Sequence, residues 1–251
     1  MEVRFLLNGL SARRPSTRSV RPWLFVLLTL LMSSAIITPP AQAQTAPAVL
    51  FIGFSPTLPP GDSLAFRLAV AHAIDRSAAA AAAAGALRSP QGVQPASNIQ
   101  HSSLPGHNPS VRGHTLDPAR AKELYRQSGW TSSISILTSS SPAPWARAVE
   151  EVITANLRNA LGATVSYARV ASFSVLTSSA GSGIVPAWKY GWSANPKDFG
   201  YPSMALGIAR EYFMSDPEIR RLVETGAGQA VEQMLLDKGL IIPIIFYITQ
   251  L

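Results

Sequence analysis

Residues 133–167 read SISILTSSSPAPWARAVEEVITANLRNALGATVSY, and the prediction of the fold rests on them. Both ends of this stretch alternate apolar and polar residues, which is typical of strands with one buried face. Between them, residues 144–161 predict an amphipathic helix that ends at Gly162. The inward positions of this helix are Val149, Val152, Ile153, Leu157 and Ala160. A strand, a helix and a second strand predict a βαβ unit, whose two strands run parallel in one sheet.

The segments on either side of this unit predict further strands and helices. Upstream lie a strand at 49–54, a helix from an Asp62 N-cap to about Arg76, a run of seven alanines at 78–84, a loop at 88–116 and a helix from Asp117 to Gly129. Downstream lie a short helix at 172–179, a strand at 183–192, three helices between 203 and 238, and an apolar strand at 240–248. We therefore expect an α/β fold with a mixed, partly parallel sheet flanked by helices.

The first 43 residues differ in composition from the rest of the chain. They hold five arginines against one glutamate, an apolar run from Trp23 to Ile37, and the sequence Ala-Gln-Ala at 41–43, which suits cleavage of a signal peptide. The apolar run has 15 residues, fewer than the roughly 20 that a membrane-spanning helix needs. We predict a signal peptide at 1–43, cleaved to leave a periplasmic chain that begins at Gln44. The alternative is an uncleaved anchor.

Charge and cysteine content exclude several classes of function. The formal net charge is +7, yet beyond residue 43 only 16 basic residues face 13 acidic ones. The basic excess therefore belongs mostly to the leader, which argues against a nucleic-acid-binding domain. The chain has no cysteine, and this excludes a thiol nucleophile, a cysteine-ligated zinc and a lipid-modified N-terminal cysteine.

No pattern in the sequence supports catalysis or a cofactor. The chain has no G-x-S-x-G, no Walker loop, no G-x-G-x-x-G and no H-E-x-x-H. His101, His107 and His114 recur in one loop without a nearby carboxylate, which favours a solvated polar loop over a metal site. We predict no metal, no cofactor and no enzymatic activity. A secreted serine hydrolase is the remote alternative.

Aromatic residues concentrate near the end of the strand predicted at 183–192. Five of them lie within 14 residues, namely Trp188, Tyr190, Trp192, Phe199 and Tyr201. In α/β sheets ligands bind beyond the carboxyl ends of the strands. Such a cluster either forms the wall of a pocket or fills the core, and composition does not distinguish the two.

Four short motifs carry a resemblance to a known family. They are FRLAVAHAIDR at 66–76, DPARAKEL with SGW between 117 and 130, GWSANPKD at 191–198, and SDPEI at 215–219 with IPI at 242–244. In this order and spacing they resemble the C-terminal lobe of family 5 extracellular solute-binding proteins, which are the dipeptide-, oligopeptide- and nickel-type binding subunits of ABC importers. The resemblance covers nearly all of residues 48–248, and we assign residues 44–251 to this lobe.

The resemblance implies a lobe of the periplasmic-binding-protein type, part of a two-lobed protein that closes on a peptide-like ligand and docks on an ABC permease in the inner membrane. The third motif lies in the ligand cleft of the family, so the implied ligand-binding residues are Trp192, Asn195, Tyr190 and Asp198. In peptide-binding members an aspartate of this motif pairs with the ligand's ammonium group. Asn195 stands at that position here, and its amide carries no charge, which makes Asp198 the candidate replacement.

The resemblance also implies that the N-terminal lobe is largely missing, because family members are about twice as long. Two functional hypotheses follow. The chain is the periplasmic solute-binding component of a peptide-class ABC importer, or it is a truncated or split remnant without independent transport function. In the split form, a separate chain supplies the missing lobe. One lobe buries less of a ligand than two, which favours the remnant on physical grounds.

Overall fold

The structure is a computed structural model that describes residues 45–87, 92–193 and 203–250. The predicted signal peptide lies outside these residues. The described part contains six strands and eight helices, which are β1 (Thr45–Phe54), α1 (Leu64–Ala73), α2 (Arg76–Ala86), β2 (Gln94–Pro95), α3 (Pro118–Ser128), β3 (Ile134–Ser139), α4 (Pro144–Leu161), β4 (Val165–Val170), α5 (Phe173–Gly181), β5 (Ala187–Ser193), α6 (Met204–Tyr212), α7 (Pro217–Glu224), α8 (Gly228–Asp237) and β6 (Ile241–Gln250). Among these helices, none combines the length and the hydropathy that crossing a membrane requires.

The strands form one mixed sheet in the order β2-β6-β1-β5-β3-β4. Strand β3 pairs in parallel with both β4 and β5, whereas β1 pairs antiparallel with β5 and β6. The predicted βαβ unit is confirmed as β3, α4 and β4, with Ile134 opposite Val165. The predicted fold class, an α/β lobe with a mixed and partly parallel sheet, is therefore confirmed.

Helices cover both faces of the sheet, and each face has its own hydrophobic core. Alternate residues of β1 divide between the two cores because successive side chains of a strand point to opposite faces. Ile52 and Phe54 pack with helices α1 to α4, and Val49 and Phe51 pack with helices α5 to α8. All four of these side chains are fully buried, and burial of each contributes about 1.5–3 kcal/mol.

The single helix predicted from Asp62 to Arg76 is wrong in both its start and its continuity. Ser63, not Asp62, caps α1, because the Ser63 hydroxyl accepts a hydrogen bond from the Phe66 N–H. The helix ends at Ala73, and Ile74 is extended. Asp75 then caps α2, with its carboxylate accepting from the Ala78 N–H while its own N–H donates to the Asn156 side chain. Because the Asp75 side chain and a distant asparagine satisfy these backbone groups, the chain starts a new helix there.

The predicted helix ends at Asp117 and Gly162 are confirmed. Asp117 caps α3 by accepting from the Arg120 N–H, and Pro118 occupies the first turn, where its missing N–H costs nothing. Gly162 ends α4 with a φ of 70°, a left-handed conformation that favours glycine. Gly162 therefore fixes where α4 ends, shortly before β4 begins at Val165.

Candidate functional site

The connections of the sheet create a crevice between β3 and β5. Both strands are parallel, so their carboxyl ends lie at the same edge of the sheet. After β3 the chain enters α4, which packs on one face, and the next described helix after β5 is α6, which packs on the other. Adjacent parallel strands whose helices lie on opposite faces form a topological switch point, which is where open α/β sheets bind ligands. We therefore take this edge as the candidate site.

Strand β5 brings two of the predicted site residues, Tyr190 and Trp192, to this edge. They lie two residues apart, so their side chains point to the same face, and their ring centroids are 5.9 Å apart. Trp188 shares this face. The other two predicted site residues, Asn195 and Asp198, lie outside the described residues, as do Phe199 and Tyr201. The structure therefore places half of the predicted set, and the binding role of all four remains a prediction.

Trp192 is part of the core and not of an open wall. Its side chain is only 4% exposed, and its ring packs against Gly207 of α6. A Cβ atom added at Gly207 would lie 2.9 Å from Cζ2 of Trp192, so the glycine makes room for the indole. Trp188 is buried as well. Of the two readings of the aromatic cluster, filling the core holds for both tryptophans.

Tyr190 differs from the tryptophans because it is only partly buried and connects the core to the surface. Its ring centroid lies 4.9 Å from that of Phe173, 5.6 Å from Phe51 and 5.9 Å from Trp192. A tyrosine hydroxyl is protonated near neutral pH at its ordinary pKa of about 10, and burial raises the pKa of Tyr190 further, so the hydroxyl is able to donate a hydrogen bond. Tyr190 therefore offers a ring and a polar hydroxyl at the edge of the sheet.

Phe173 is a residue that the sequence analysis missed. It is the first residue of α5, directly after the carboxyl end of β4, and its side chain is 56% exposed. Ser172 fixes this position, because its hydroxyl caps the helix by accepting from the Val175 N–H. The signal in the sequence was a large aromatic residue immediately after a serine N-cap, where burial is not needed for the helix to start. Phe173 and Tyr190 together form an aromatic pair that is open to solvent.

The opposite face of β5 carries a buried ion pair that holds the strand in place. Lys189 Nζ lies 3.1 Å from Glu150 Oε1, and the two side chains are 4% and 5% exposed. Arg169 of β4 forms a bidentate contact with the same carboxylate, with Nη2 2.6 Å from Oε2 and Nη1 3.1 Å from Oε1. Burial lowers the pKa of Lys189, and the Glu150 carboxylate opposes that shift. Glu150 of α4 thus joins β4 and β5 beneath the candidate site.

The histidines of the loop before α3 are less solvated than the sequence analysis expected. His101 is buried, and its two ring nitrogens lie within hydrogen-bond distance of Gln94 Nε2 and Ser103 Oγ. Glu232 of α8 anchors the same loop by accepting from the N–H groups of Ile99 and Gln100. No group of three or more histidine or acidic side chains in the described ranges is arranged to hold a metal ion.

Comparisons with known proteins point in one direction. A sequence profile described as "Bacterial extracellular solute-binding proteins, family 5 Middle" matches residues 30–210. No sequence of a curated protein matches the chain.

Solved structures match the fold at low sequence identity. The substrate-binding protein CtaP of an ABC transporter from Listeria monocytogenes aligns over 82% of this chain and 45% of its own, with a TM-score of 0.65 and 18% identity. The murein tripeptide binding protein MppA from Escherichia coli aligns over 89% of this chain and 46% of its own, with a TM-score of 0.63 and 18% identity. A peptide-binding protein of a peptide ABC transporter aligns over 80% of this chain and 100% of its own, with a TM-score of 0.64 and 18% identity. The chain thus spans less than half the length of CtaP and MppA.

Proposed function

Because the chain belongs to the bacterial extracellular solute-binding proteins of family 5, we propose that it binds a peptide-like solute for an ABC importer, with the edge of β3 and β5 as one wall of the cleft. The extracellular character of the family supports a periplasmic location, reached through the predicted signal peptide. The solved relatives named as peptide- and tripeptide-binding support the ligand class. The importer's permease in the inner membrane is the partner of this proposal.

The observation that carries the proposal is the open aromatic pair of Phe173 and Tyr190 at the switch point. The two ring centroids lie 4.9 Å apart, and the pair continues inward through Trp192. Aromatic rings provide a large apolar contact area with few rotatable bonds, which suits the side chains of varied peptides. The Tyr190 hydroxyl adds one polar contact. In this proposal Trp192 supports Tyr190 from the core and does not itself face the ligand.

The polar part of the recognition is proposed for Asn195 and Asp198. A ligand ammonium group that leaves water needs a charged or strongly polar partner, because an unpaired buried charge costs several kcal/mol. Asn195 would accept a hydrogen bond through its amide oxygen, and Asp198 would supply the negative charge. Both residues follow β5 in the sequence.

A second candidate is a truncated or split remnant, and one observation favours it. The chain spans about 45% of CtaP and 46% of MppA, and it leaves Phe173, Val175 and Ile184 exposed at and after α5. Neighbouring exposed apolar side chains mark surfaces that contact a partner or a ligand. In this version a separate chain supplies the second lobe, and the lobe alone does not support transport.

Calorimetric titration of the full chain with di-, tri- and tetrapeptides tests the proposal. We expect binding that the substitution Phe173→Ala weakens about three- to tenfold, because an aromatic contact contributes about 0.5–1.5 kcal/mol. Leu64→Ala is the matched control, since Leu64 is also an exposed apolar residue at the first position of a helix and lies on the other face of the sheet. The control is expected to bind as the unchanged chain does.

The same titration separates the two versions. Binding by the chain alone supports a working solute-binding protein, and binding only after addition of a second chain that carries a relative's N-terminal lobe supports the split form. Absence of binding under both conditions would contradict the proposal. Peptides recovered intact after incubation would agree with a binding protein, whereas cleavage that is lost on changing one serine to alanine would support the hydrolase alternative.

A further inference from the structure

A groove lies along α4 beside the edge strand β4, on the face of the sheet opposite Tyr190. Its volume is about 390 Å³, and it is lined on the helix by Arg147, Glu150, Thr154 and Arg158 and on the strand by Tyr167 and Arg169. We call this surface the α4–β4 groove. It shares no lining residue with the aromatic pair of the candidate site, so its function is a separate question.

The groove borders a strand whose outer edge is free within the described ranges. The Ile134 N–H donates to the Thr164 carbonyl, and the Ser140 N–H donates to the Val170 carbonyl, so the even-numbered residues of β4 face β3. Backbone directions alternate along a strand, which turns the N–H and C=O groups of Val165, Tyr167 and Arg169 away from β3. Strand β4 is last in the sheet order, so an added strand would form its backbone hydrogen bonds with the N–H and C=O groups of these three residues.

The charges of the groove leave a positive excess. The carboxylate of Glu150 at its floor is already paired with two cations, Lys189 and Arg169. Arg147 and Arg158 form no ion pair or side-chain hydrogen bond with another described residue. Glu151 is the other acidic residue of the lining. Two guanidinium groups therefore remain available to a negatively charged partner, and arginine suits carboxylates because it binds them through two parallel hydrogen bonds.

The spacing of the two arginines matches an extended chain. They are 11 residues apart on α4, which is three helical turns, so they project from the same side of the helix about 16 Å apart. In a strand, side chains at positions i and i+4 point to the same face and lie about 13 Å apart. Arginine side chains are long and flexible, so the two guanidinium groups are able to approach each other enough to match the shorter spacing of the strand. A carboxylate at each of these two positions would reach one arginine.

We propose that the α4–β4 groove binds an extended acidic segment of a partner protein, which adds as a strand to β4 and pairs carboxylates at positions i and i+4 with Arg147 and Arg158. The floor of the groove is held in place before binding. The Tyr167 hydroxyl donates to the Glu150 carbonyl at 3.0 Å, and the Arg169 guanidinium lies 5.4 Å from the centre of the Tyr167 ring. A site whose parts are already fixed loses less entropy when the partner binds.

Two peptide series test the proposal with the full chain. The probe is a seven-residue peptide of threonine and valine with glutamate at its second and sixth positions, followed by fluorescence anisotropy. We expect the peptide with glutamine at both positions to bind at least about fivefold more weakly, and the double substitution Arg147→Glu with Arg158→Glu to weaken the glutamate peptide about tenfold or more. Arg221→Glu is the matched control, because Arg221 is an exposed helical arginine on α7, which packs on the other face.

Methylation of the peptide backbone tests strand addition without altering the protein. Methyl groups on alternate amides block the hydrogen bonds of one strand edge and leave those of the other. We expect one of the two methylated isomers to bind about tenfold more weakly than the other, since several backbone hydrogen bonds are lost together. Equal affinity of the two isomers would overturn strand addition. Equal affinity of the glutamate and glutamine peptides would overturn the role of the arginines, and competition by glutarate at the concentration of the peptide would show a site for small anions instead.

Discussion

The two faces of the sheet are held by different kinds of interaction, and four consecutive residues of β5 contribute to both. On one face Tyr190 and Trp192 join a set of rings that extends from the core to the solvent at Phe173. On the other face Lys189 ends in a buried ion pair with Glu150. The hydrophobic contribution of ring contacts is non-directional, whereas a buried ion pair is costly unless its geometry is kept. The comparison indicates that the ion pair holds β4 and β5 in place on one face, whereas the other face is held by apolar contacts between rings.

Removing the charge of Glu150 is expected to give the largest effect. The substitution Glu150→Gln leaves Lys189 buried without a counter-charge, and breaking a buried ion pair on one side costs about 3–5 kcal/mol of unfolding free energy. Urea denaturation of the variant and the unchanged chain measures the difference. Glu151→Gln is the control, because Glu151 is the next residue on α4 and is exposed. A loss as small as that of the control would mean that the ion pair does not fix the strand.

The pH dependence of the same variant sharpens this prediction. Burial lowers the folded-state pKa of Lys189 below its ordinary value of 10.5, so the unfolded chain binds this proton more tightly. The cost of burying the ammonium group is present below the folded pKa and disappears as the pH rises to about 10.5. Glu150→Gln lowers that pKa further, so its deficit relative to the unchanged chain should shrink as the pH rises through the folded-state pKa values toward 10.5. A deficit that does not change with pH would assign the loss to packing.

On the aromatic face, Gly207→Ala is expected to give an intermediate effect. Alanine favours a helix over glycine by about 0.5–1 kcal/mol, but the new Cβ would lie 2.9 Å from Cζ2 of Trp192, and overpacking costs about 1–3 kcal/mol. We expect the unfolding free energy to fall by about 1–2 kcal/mol, with a shift in tryptophan fluorescence. Gly85→Ala in α2 is the control. It is expected to raise the unfolding free energy, because no atom lies within 4 Å of its added Cβ and alanine favours a helix over glycine. A stabilised Gly207→Ala variant would show that Trp192 is not tightly held.

The smallest expected effect on stability comes from Phe173→Ala. The side chain is more than half exposed, and surface substitutions of this kind change the unfolding free energy by about 0.5 kcal/mol or less. Thermal denaturation measures this change, and the peptide titration described above measures the binding of the same variant. A large loss of stability would mean that Phe173 holds α5 on the sheet. The aromatic face would then be as important for stability as the face that carries the ion pair of Lys189 with Glu150.

Local patterns in the sequence were sufficient for most of the fold. The βαβ unit and the caps at Asp117 and Gly162 depend on periodicity and on residues close in sequence, so they are readable without tertiary contacts. The break before Asp75 was not readable, because Asn156 accepts its N–H across 81 residues. The separation of α1 from α2 is therefore a product of packing and not of propensity.

The candidate site was predictable only in part, for the same reason. Strand periodicity places Tyr190 and Trp192 on one face. It does not show that Gly207 of α6 makes room for the Trp192 ring, or that Tyr190 is only partly buried. Phe173 joins the site through the parallel connection of β4, α5 and β5, which brings residues distant in sequence to one edge. The pairing of Lys189 with Glu150 depends on the same connections. Contacts between side chains that the topology of the sheet brings together do not follow from local sequence patterns, and only the structure reveals them.

The central position of β1 has a consequence for the order in which the molecule folds. Ile52 pairs with Lys189 of β5 and with Ile242 of β6, so both neighbours of β1 in the sheet lie far downstream of it in the sequence. Pairings of such high sequence separation slow folding, because the intervening chain must be closed into a loop before any contact compensates for it. Until β6 has docked, β1 exposes an unpaired and strongly apolar edge to other chains. We therefore expect partly folded chains to aggregate most readily while β6 is not yet paired with β1.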